Sequence, residues 1–165
     1  MQKIIGTLGS HCSLQVLKGA KDEGFKTLLI TEKKRYHVYK RFNFIDHVIL
    51  VDSFRDVLKS DIQNRLNKLN CILIPHGTLI STLSSDEIES INVPFFGNKF
   101  ILRWEADRNL KQKLMLESKL QVPRTVNSKS EIGDLCIVKL HGAAGGKGYF
   151  LTSDQSGFEE GFTNS

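Results

Sequence analysis

Short apolar runs alternate along the first hundred residues with segments whose apolar positions recur at helical spacing. Lys3 to Leu8, Phe25 to Ile30, His47 to Val51 and Cys71 to Ile74 are the runs, each the length of a buried strand. Between the first two, Leu14, Val16, Leu17 and Ala20 give a helix its apolar side. Ser10 or Ser13 can cap its start, and Gly24 ends it. Residues 32–46 are polar, basic and aromatic, a loop or short helix over the sheet edge. They are either a solvated face or a patch turned to a phosphate or a partner. Phe54 to Leu69 reads as one amphipathic helix, with Val57, Leu58, Ile62, Leu66 and Leu69 toward the core. A short helix starts at Ser84 to Glu87, and Val93 to Gly97 gives a fifth strand. Phe100 to Leu120 gives a charged helix carrying Arg103, Trp104, Glu105 and Arg108, with Trp104 in the core. Strand, turn, helix and strand in this order predict an α/β fold with a parallel, doubly wound sheet.

Two polar turns stand out because each follows a strand. One is Gly9-Ser10-His11-Cys12-Ser13; the other is Pro75-His76-Gly77-Thr78. In an open parallel sheet, ligands bind outside the carboxyl ends of the strands, so His11 and Thr78 are expected on one pocket. A turn at a helix start offers free amides and a favourable dipole to an anion. Gly6 and Gly9 are wrongly spaced for G-x-G-x-x-G. The site therefore suits a monophosphate or a sugar rather than a dinucleotide, which argues against an oxidoreductase. His11 itself reads either as a capping or packing residue or as a ligand contact.

Val122-Pro123-Arg124-Thr125 marks a domain boundary, dividing the chain into residues 1–122 and 123–165. Beyond it, Ile137 to Leu151 places Gly142, Gly145, Gly146 and Gly148 between two apolar flanks, a β-hairpin with an amide-rich tip. Bare amides approach phosphate oxygens closely, with Lys147 on the tip and Lys139 on the first strand to meet their charge. The phosphate loop G-x-x-x-x-G-K-S/T does not fit: His141 stands at the first glycine, Gly148 follows the lysine, and a strand follows rather than a helix. A flexible surface hairpin without a ligand is the other reading. Ser153 to Ser165 reads as a polar tail.

A net charge of +5 without a basic stripe argues against nucleic acid and suits small anionic substrates. The only tight basic cluster is Lys33, Lys34 and Arg35. Cys12, Cys71 and Cys136 are odd in number and far apart, which indicates neither disulfides nor zinc and fits reduced thiols in the cytoplasm. No apolar run approaches membrane-spanning length, and no signal peptide is expected.

Three stretches together carry a family likeness. They are Gly9-Ser10-His11 followed by Leu14-x-x-Leu17-Lys18-Gly19-Ala20-Lys21, then Pro75-His76-Gly77-Thr78, then Phe96-Gly97-Asn98-x-x-x-Leu102-Arg103-Trp104-Glu105. With Lys139 and the glycine hairpin, the chain resembles the N-terminal part of archaeal 5-formaminoimidazole-4-carboxamide ribonucleotide synthetase, a purine-biosynthesis ligase of the ATP-grasp superfamily. The resemblance implies a Rossmann-like pre-ATP-grasp domain followed by the beginning of an ATP-grasp domain. It implies formate joined to the amine of aminoimidazole carboxamide ribonucleotide at the expense of ATP, through formyl phosphate, with Mg²⁺. By the same resemblance, His11 and Thr78, with Ser10 and Gly77, match ribonucleotide-binding positions. Lys139, Gly142, Gly145, Gly146, Lys147 and Gly148 match the ATP-binding strand and lid, and Arg108 falls near a phosphate-contacting base. The family's hairpin usually reads P-G-A-R-G-G-R-G; here His141 replaces the proline and Ala144 the first arginine, which removes a cation. The family's magnesium carboxylates and formate site are expected beyond residue 165, leaving this chain inactive alone and without metal ligands of its own. A homo-oligomer is compatible with the family. The alternative is a non-catalytic Rossmann-like module that binds a ribonucleotide.

Overall fold

The computed structural model describes residues 2–140 and 148–163. The chain divides into two compact units, Met1–Lys119 and Leu120–Ser165.

In the first unit the apolar runs are strands: β1 (Ile4–Leu8), then helix α1 (Ser13–Asp22), then β2 (Lys26–Glu32). The short helix α2 (Tyr36–Tyr39) leads to β3 (His47–Val51), and α3 (Ser60–Lys68) leads to β4 (Cys71–Leu73). Helices α4 (Gly77–Thr82), α5 (Ser85–Ser90), α6 (Leu102–Ala106) and α7 (Arg108–Glu117) follow. The strands form one parallel sheet in the order β3-β2-β1-β4. Successive residues of a strand face opposite sides. Leu28, Ile30, Ile49, Val51 and Leu73 accordingly pack with Val57, Leu66, Leu79 and Ile88 on one face. Leu29 packs with Leu17 of α1 and Tyr39 of α2 on the other. The sheet is thus doubly wound, and Tyr39, Phe44 and Ile45 of the segment 32–46 pack on this second face.

Three expected elements are interrupted, each for a local reason. The helix expected over 54–69 begins as a 3₁₀ turn, Phe54–Leu58. There the Asp56 carboxylate accepts the backbone N–H groups of Asp52 and Ser53, while Lys59 is extended and α3 starts afresh. The helix expected over 100–120 breaks at Asp107, whose carboxylate caps the N–H groups of Asn109 (2.8 Å) and Leu110 (3.0 Å). The fifth strand reduces to a single parallel bridge, Leu73 to Phe95. Pro94 has no N–H to donate, and Gly97 at φ +83° turns the chain away. Trp104 is half-buried and outside both buried clusters.

The second unit holds the expected hairpin, β5 (Cys136–Lys139) antiparallel to β6 (Tyr149–Thr152). The Leu140 N–H donates to the Gly148 carbonyl at the base of the tip (2.8 Å). The tip, His141 to Lys147, lies outside the described residues. The segment read as a polar tail is instead helix α8 (Gln155–Thr163). Phe158 and Phe162, one turn apart, stack on each other with ring centres 5.9 Å apart, and Phe158 meets Phe150 of the hairpin at 6.0 Å. Gly161 gives Phe150 room that a side chain would fill. A two-stranded hairpin alone is marginal in water, and α8 supplies the apolar cover it needs on one face.

Gly6 sits on β1 between β2 and β4, where an added Cβ would collide with Cys71 Sγ. Gly6→Ala is expected to destabilise the chain by about 1–3 kcal/mol in urea unfolding. Cys71→Ala added to it should recover part of that loss; strictly additive losses would show that the two side chains do not compete for this space.

Candidate functional site

The cleft lies at the carboxyl ends of the strands, where the connections after β1 and β4 leave the sheet in different directions. Such a point is where open α/β sheets bind ligands. It has a volume of about 400 Å³. The turn after β1 contributes Ser10 and His11, and the turn after β4 contributes Thr78 with Ser81 and Thr82 of α4. Glu32, Lys34 and Arg35 come from the end of β2, Ser53 and Phe54 from the end of β3.

The first turn hugs the sheet. The Gly9 N–H donates to the Ile30 carbonyl (2.6 Å), and a Cβ there would stand 2.7 Å from Thr31 Oγ1, so only glycine fits. Ser13 is buried; its hydroxyl donates back to the Ser10 carbonyl (2.6 Å). Neither serine caps α1 through its side chain, contrary to the sequence reading; Cys12 occupies the cap position. Ser10 is thereby left to point its hydroxyl across to the second turn.

There the Thr78 hydroxyl donates to Ser10 Oγ (2.6 Å). His76 stands behind the pair. Its Nε2 lies 2.9 Å from the Leu8 carbonyl, its Nδ1 accepts the Thr78 backbone N–H (3.3 Å), and Ser10 Oγ lies 3.4 Å from Nδ1. The His11 ring meets the His76 ring edge-on, centres 6.4 Å apart. His11 itself is exposed on the cleft wall.

The opposite wall is ionic. Glu32 is buried at 8% exposure and accepts from Arg35 Nε (2.8 Å), with Lys34 Nζ at 3.4 Å. The Arg35 guanidinium also lies over the Phe54 ring, 5.7 Å from its centre. Glu32 offsets part of the positive charge while both cations keep a solvent-facing side. Cys71, fully buried, has its thiol pushed up to about 12 by desolvation and is inert at neutral pH. Among the described residues, no three His, Cys, Asp or Glu side chains gather where they could hold a metal ion.

The structure thus brings Ser10, His11 and Thr78 together, with Gly77 as the exposed first residue of α4. Arg108 begins α7 and does not line the cleft. Lys139 lies on β5, on an exposed hairpin face opposite Tyr149 and beside Ile137 and Leu151. Gly148 is described, at φ +68°; Gly142, Gly145, Gly146 and Lys147 fall on the tip outside the described residues. Sequence reasoning missed Glu32, Ser53, Ser81 and Thr82, and it passed over His76. Only Ser53 carried a usable local signal, the S-x-x-D capping box it forms with Asp56.

A family described as "Protein of unknown function (DUF1246)" matches residues 5–126, from β1 past the end of α7 and across both turns. The chain belongs to this family. Its relatives include the 5-formaminoimidazole-4-carboxamide-1-(beta)-D-ribofuranosyl 5'-monophosphate synthetase of Nitrosopumilus maritimus, 60% identical over 154 residues, which are 93% of this chain and 45% of that protein. The protein of the same name from Methanocaldococcus jannaschii is 49% identical over 155 residues, 93% of this chain and 43% of its own length. The chain therefore spans a little under half the length of these curated relatives. Among solved structures, the IMP biosynthesis protein PurP from Thermococcus kodakaraensis superposes with a TM-score of 0.67 at 27% identity, covering 89% of this chain and 48% of that one. The N5-carboxyaminoimidazole synthetase from Staphylococcus aureus complexed with ADP superposes with a TM-score of 0.67 at 12% identity, covering 98% and 43%, a likeness of fold alone. The fold of this DUF1246 member is a Rossmann-like parallel sheet of the pre-ATP-grasp kind followed by the start of an ATP-grasp domain.

The Thr78–Ser10 bond links the two turns of the family member directly. Thr78→Val and Ser10→Ala, singly and together, should show a coupling of about 0.5–1.5 kcal/mol in urea unfolding. A coupling of zero would mean that the hydroxyls do not bond in solution.

Proposed function

We propose that this chain is the ribonucleotide-binding portion of an ATP- and formate-dependent ligase that formylates 5-aminoimidazole-4-carboxamide ribonucleotide in purine biosynthesis. The observation that carries the reading is 60% identity over 93% of the chain with a relative named as the synthetase of the formylated ribonucleotide. The cleft supports it, with hydroxyl and imidazole groups on one wall and Lys34 and Arg35 on the other. A phosphorylated sugar offers partners for both sets. The chain is divided here into a pre-ATP-grasp domain, residues 1–122, and the beginning of an ATP-grasp domain, residues 123–165.

In this reading His11, Ser10, Gly77 and Thr78 hold the ribonucleotide. Anchoring it at a remote group orients its amine toward an acyl donor and removes the entropy of a bimolecular encounter. Lys139 and the Gly142–Gly148 hairpin take ATP, with Arg108 as a further phosphate contact. The apolar side chains of Ile137 and Leu151, exposed beside Lys139, are a surface that can cover a base next to a phosphate-binding cation. Formate is a poor acyl donor until phosphorylated. Magnesium would supply charge compensation at the transferred phosphate. Among the described residues no three His, Cys, Asp or Glu side chains gather around one point, and no step is assigned to them through it. No described helix is long and apolar enough to cross a membrane, and we place the protein in the cytoplasm with small-molecule partners.

His11→Ala is expected to weaken binding of the ribonucleotide by about 1–3 kcal/mol in calorimetry, the cost of a charge-assisted or buried hydrogen bond. Because His11 is exposed, Tm should barely move. Unchanged affinity with a large fall in Tm would return His11 to a packing role. A polypeptide of these 165 residues is further expected to bind the ribonucleotide without forming formylated product from ATP, magnesium and formate. The Nitrosopumilus maritimus relative serves as the active comparison. Comparable turnover by the 165-residue polypeptide would place the reacting groups within it.

A further inference from the structure

We infer that His76 is the positioning residue of the cleft: a neutral imidazole, protonated at Nε2, that holds the hydroxyls of Ser10 and Thr78 in place without touching the ligand. For its ligand this rests on the ribonucleotide reading above.

The hydrogen bonds fix the proton. The Leu8 carbonyl can only accept, so Nε2, 2.9 Å away, carries the hydrogen. The Thr78 backbone N–H can only donate, so Nδ1, 3.3 Å away, carries none. Nδ1 then accepts from the Ser10 hydroxyl as well, at 3.4 Å, and Ser10 Oγ in turn accepts from Thr78 (2.6 Å). One ring thereby sets the direction of every bond in the chain Thr78 to Ser10 to His76 to Leu8.

The placement of His76 explains why this is its task. It does not line the cleft, whereas Ser10, His11 and Thr78 do. Its long-range partners, Ser10 and Leu8, are 66 and 68 residues away in sequence, on the first turn and at the end of β1. At the same time it is the N-cap of α4, through the bond from Thr78 N–H. The ring therefore joins three things: the end of β1, the start of α4, and the two hydroxyls between them. A side chain that served the ligand directly would not have both nitrogens committed to the protein.

The test separates the two nitrogens. In His76→Asn the amide oxygen comes close to the position of Nδ1 and can accept from Thr78 N–H and Ser10. In His76→Gln the polar end reaches instead toward the position of Nε2. His76→Ala removes both. Calorimetry with 5-aminoimidazole-4-carboxamide ribonucleotide on the 165-residue chain should show His76→Ala and His76→Gln weakened about tenfold, and His76→Asn within about threefold of the unaltered chain. Amide exchange at Thr78 should be slow in the unaltered chain and in His76→Asn, and fast in the other two. A long-range ¹H–¹⁵N spectrum of the unaltered chain should show Nδ1 as the bare nitrogen.

Ribonucleotide affinity unchanged in His76→Ala, or His76→Asn no better than His76→Gln, would overturn the assignment. So would a proton on Nδ1. If His76→Ala does not fold, the comparison of Asn with Gln decides. If the unaltered chain does not bind the ribonucleotide, the function proposed above fails, and Thr78 exchange together with the nitrogen spectrum still decides the role of His76.

Discussion

The seam between β1 and β4 is the constraint on which the cleft depends. Two parallel strands are held by backbone bonds only while they run side by side, and β4 is three residues long. Its last pairing is Gly6 with Leu73, followed by the Ile74 N–H donating to the Gly6 carbonyl (2.8 Å). Past that point β4 leaves the sheet for its helix, while β1 runs on beside β2 as far as Leu8. Side chains then take over from the backbone. The Thr7 hydroxyl donates to the Ile74 carbonyl (2.9 Å), His76 Nε2 reaches the Leu8 carbonyl, and the Thr78 hydroxyl reaches Ser10. The ladder continues for three more rungs in a different material. Without those rungs the two turns would have no fixed spacing, and a cleft built from both of them would have no fixed width.

Small residues allow close approach on both sides of β1. Gly6 lets Cys71 Sγ into the space a side chain would take, and Gly9 lets the turn lie against Thr31. Both are positions of close approach rather than of special backbone conformation. Away from the seam, the ionic wall is built differently. Glu32 is buried while Lys34 and Arg35 keep exposed sides, so the carboxylate is held within the protein and the two cations stay open to an anion.

How much of this is legible in the sequence depends on how local each determinant is. β1, β2 and the Gly9–Cys12 turn are read correctly because burial on both faces leaves an unbroken apolar run. The meeting of Ser10, His11 and Thr78 follows from a topological rule, since both turns lie at carboxyl ends of adjacent parallel strands. Periodicity fails where a single carboxylate competes with it: Asp56 and Asp107 each take backbone N–H groups and restart a helix that the apolar stripe would have continued. α8 is missed because Gly157, Gly161 and the serine and threonine around them lower helix propensity, while its cause is tertiary, the packing of Phe158 against Phe150. His76 is missed for the strongest version of that reason. Nothing beside it in sequence reports a bond to a carbonyl 68 residues earlier.

Folding by itself does not demand this arrangement of the turns. Structures sharing 12% of the sequence keep the same scaffold, so the scaffold needs the buried apolar runs of its strands more than any particular turn residue. Ser10, His76 and Thr78 meet at the edge of the sheet, where loops are free to vary and where a buried serine costs stability unless its hydroxyl is satisfied. A hydrogen-bonded chain of three polar residues in that position adds nothing that an apolar contact could not supply more simply to a fold. Its directionality is what an apolar contact lacks. A hydroxyl held by two partners presents its remaining lone pair in one direction only, and recognition of a polar ligand needs that fixed direction. The physical case for a binding site therefore rests on the bonds the fold did not require, and fold-level likeness alone would not have made it.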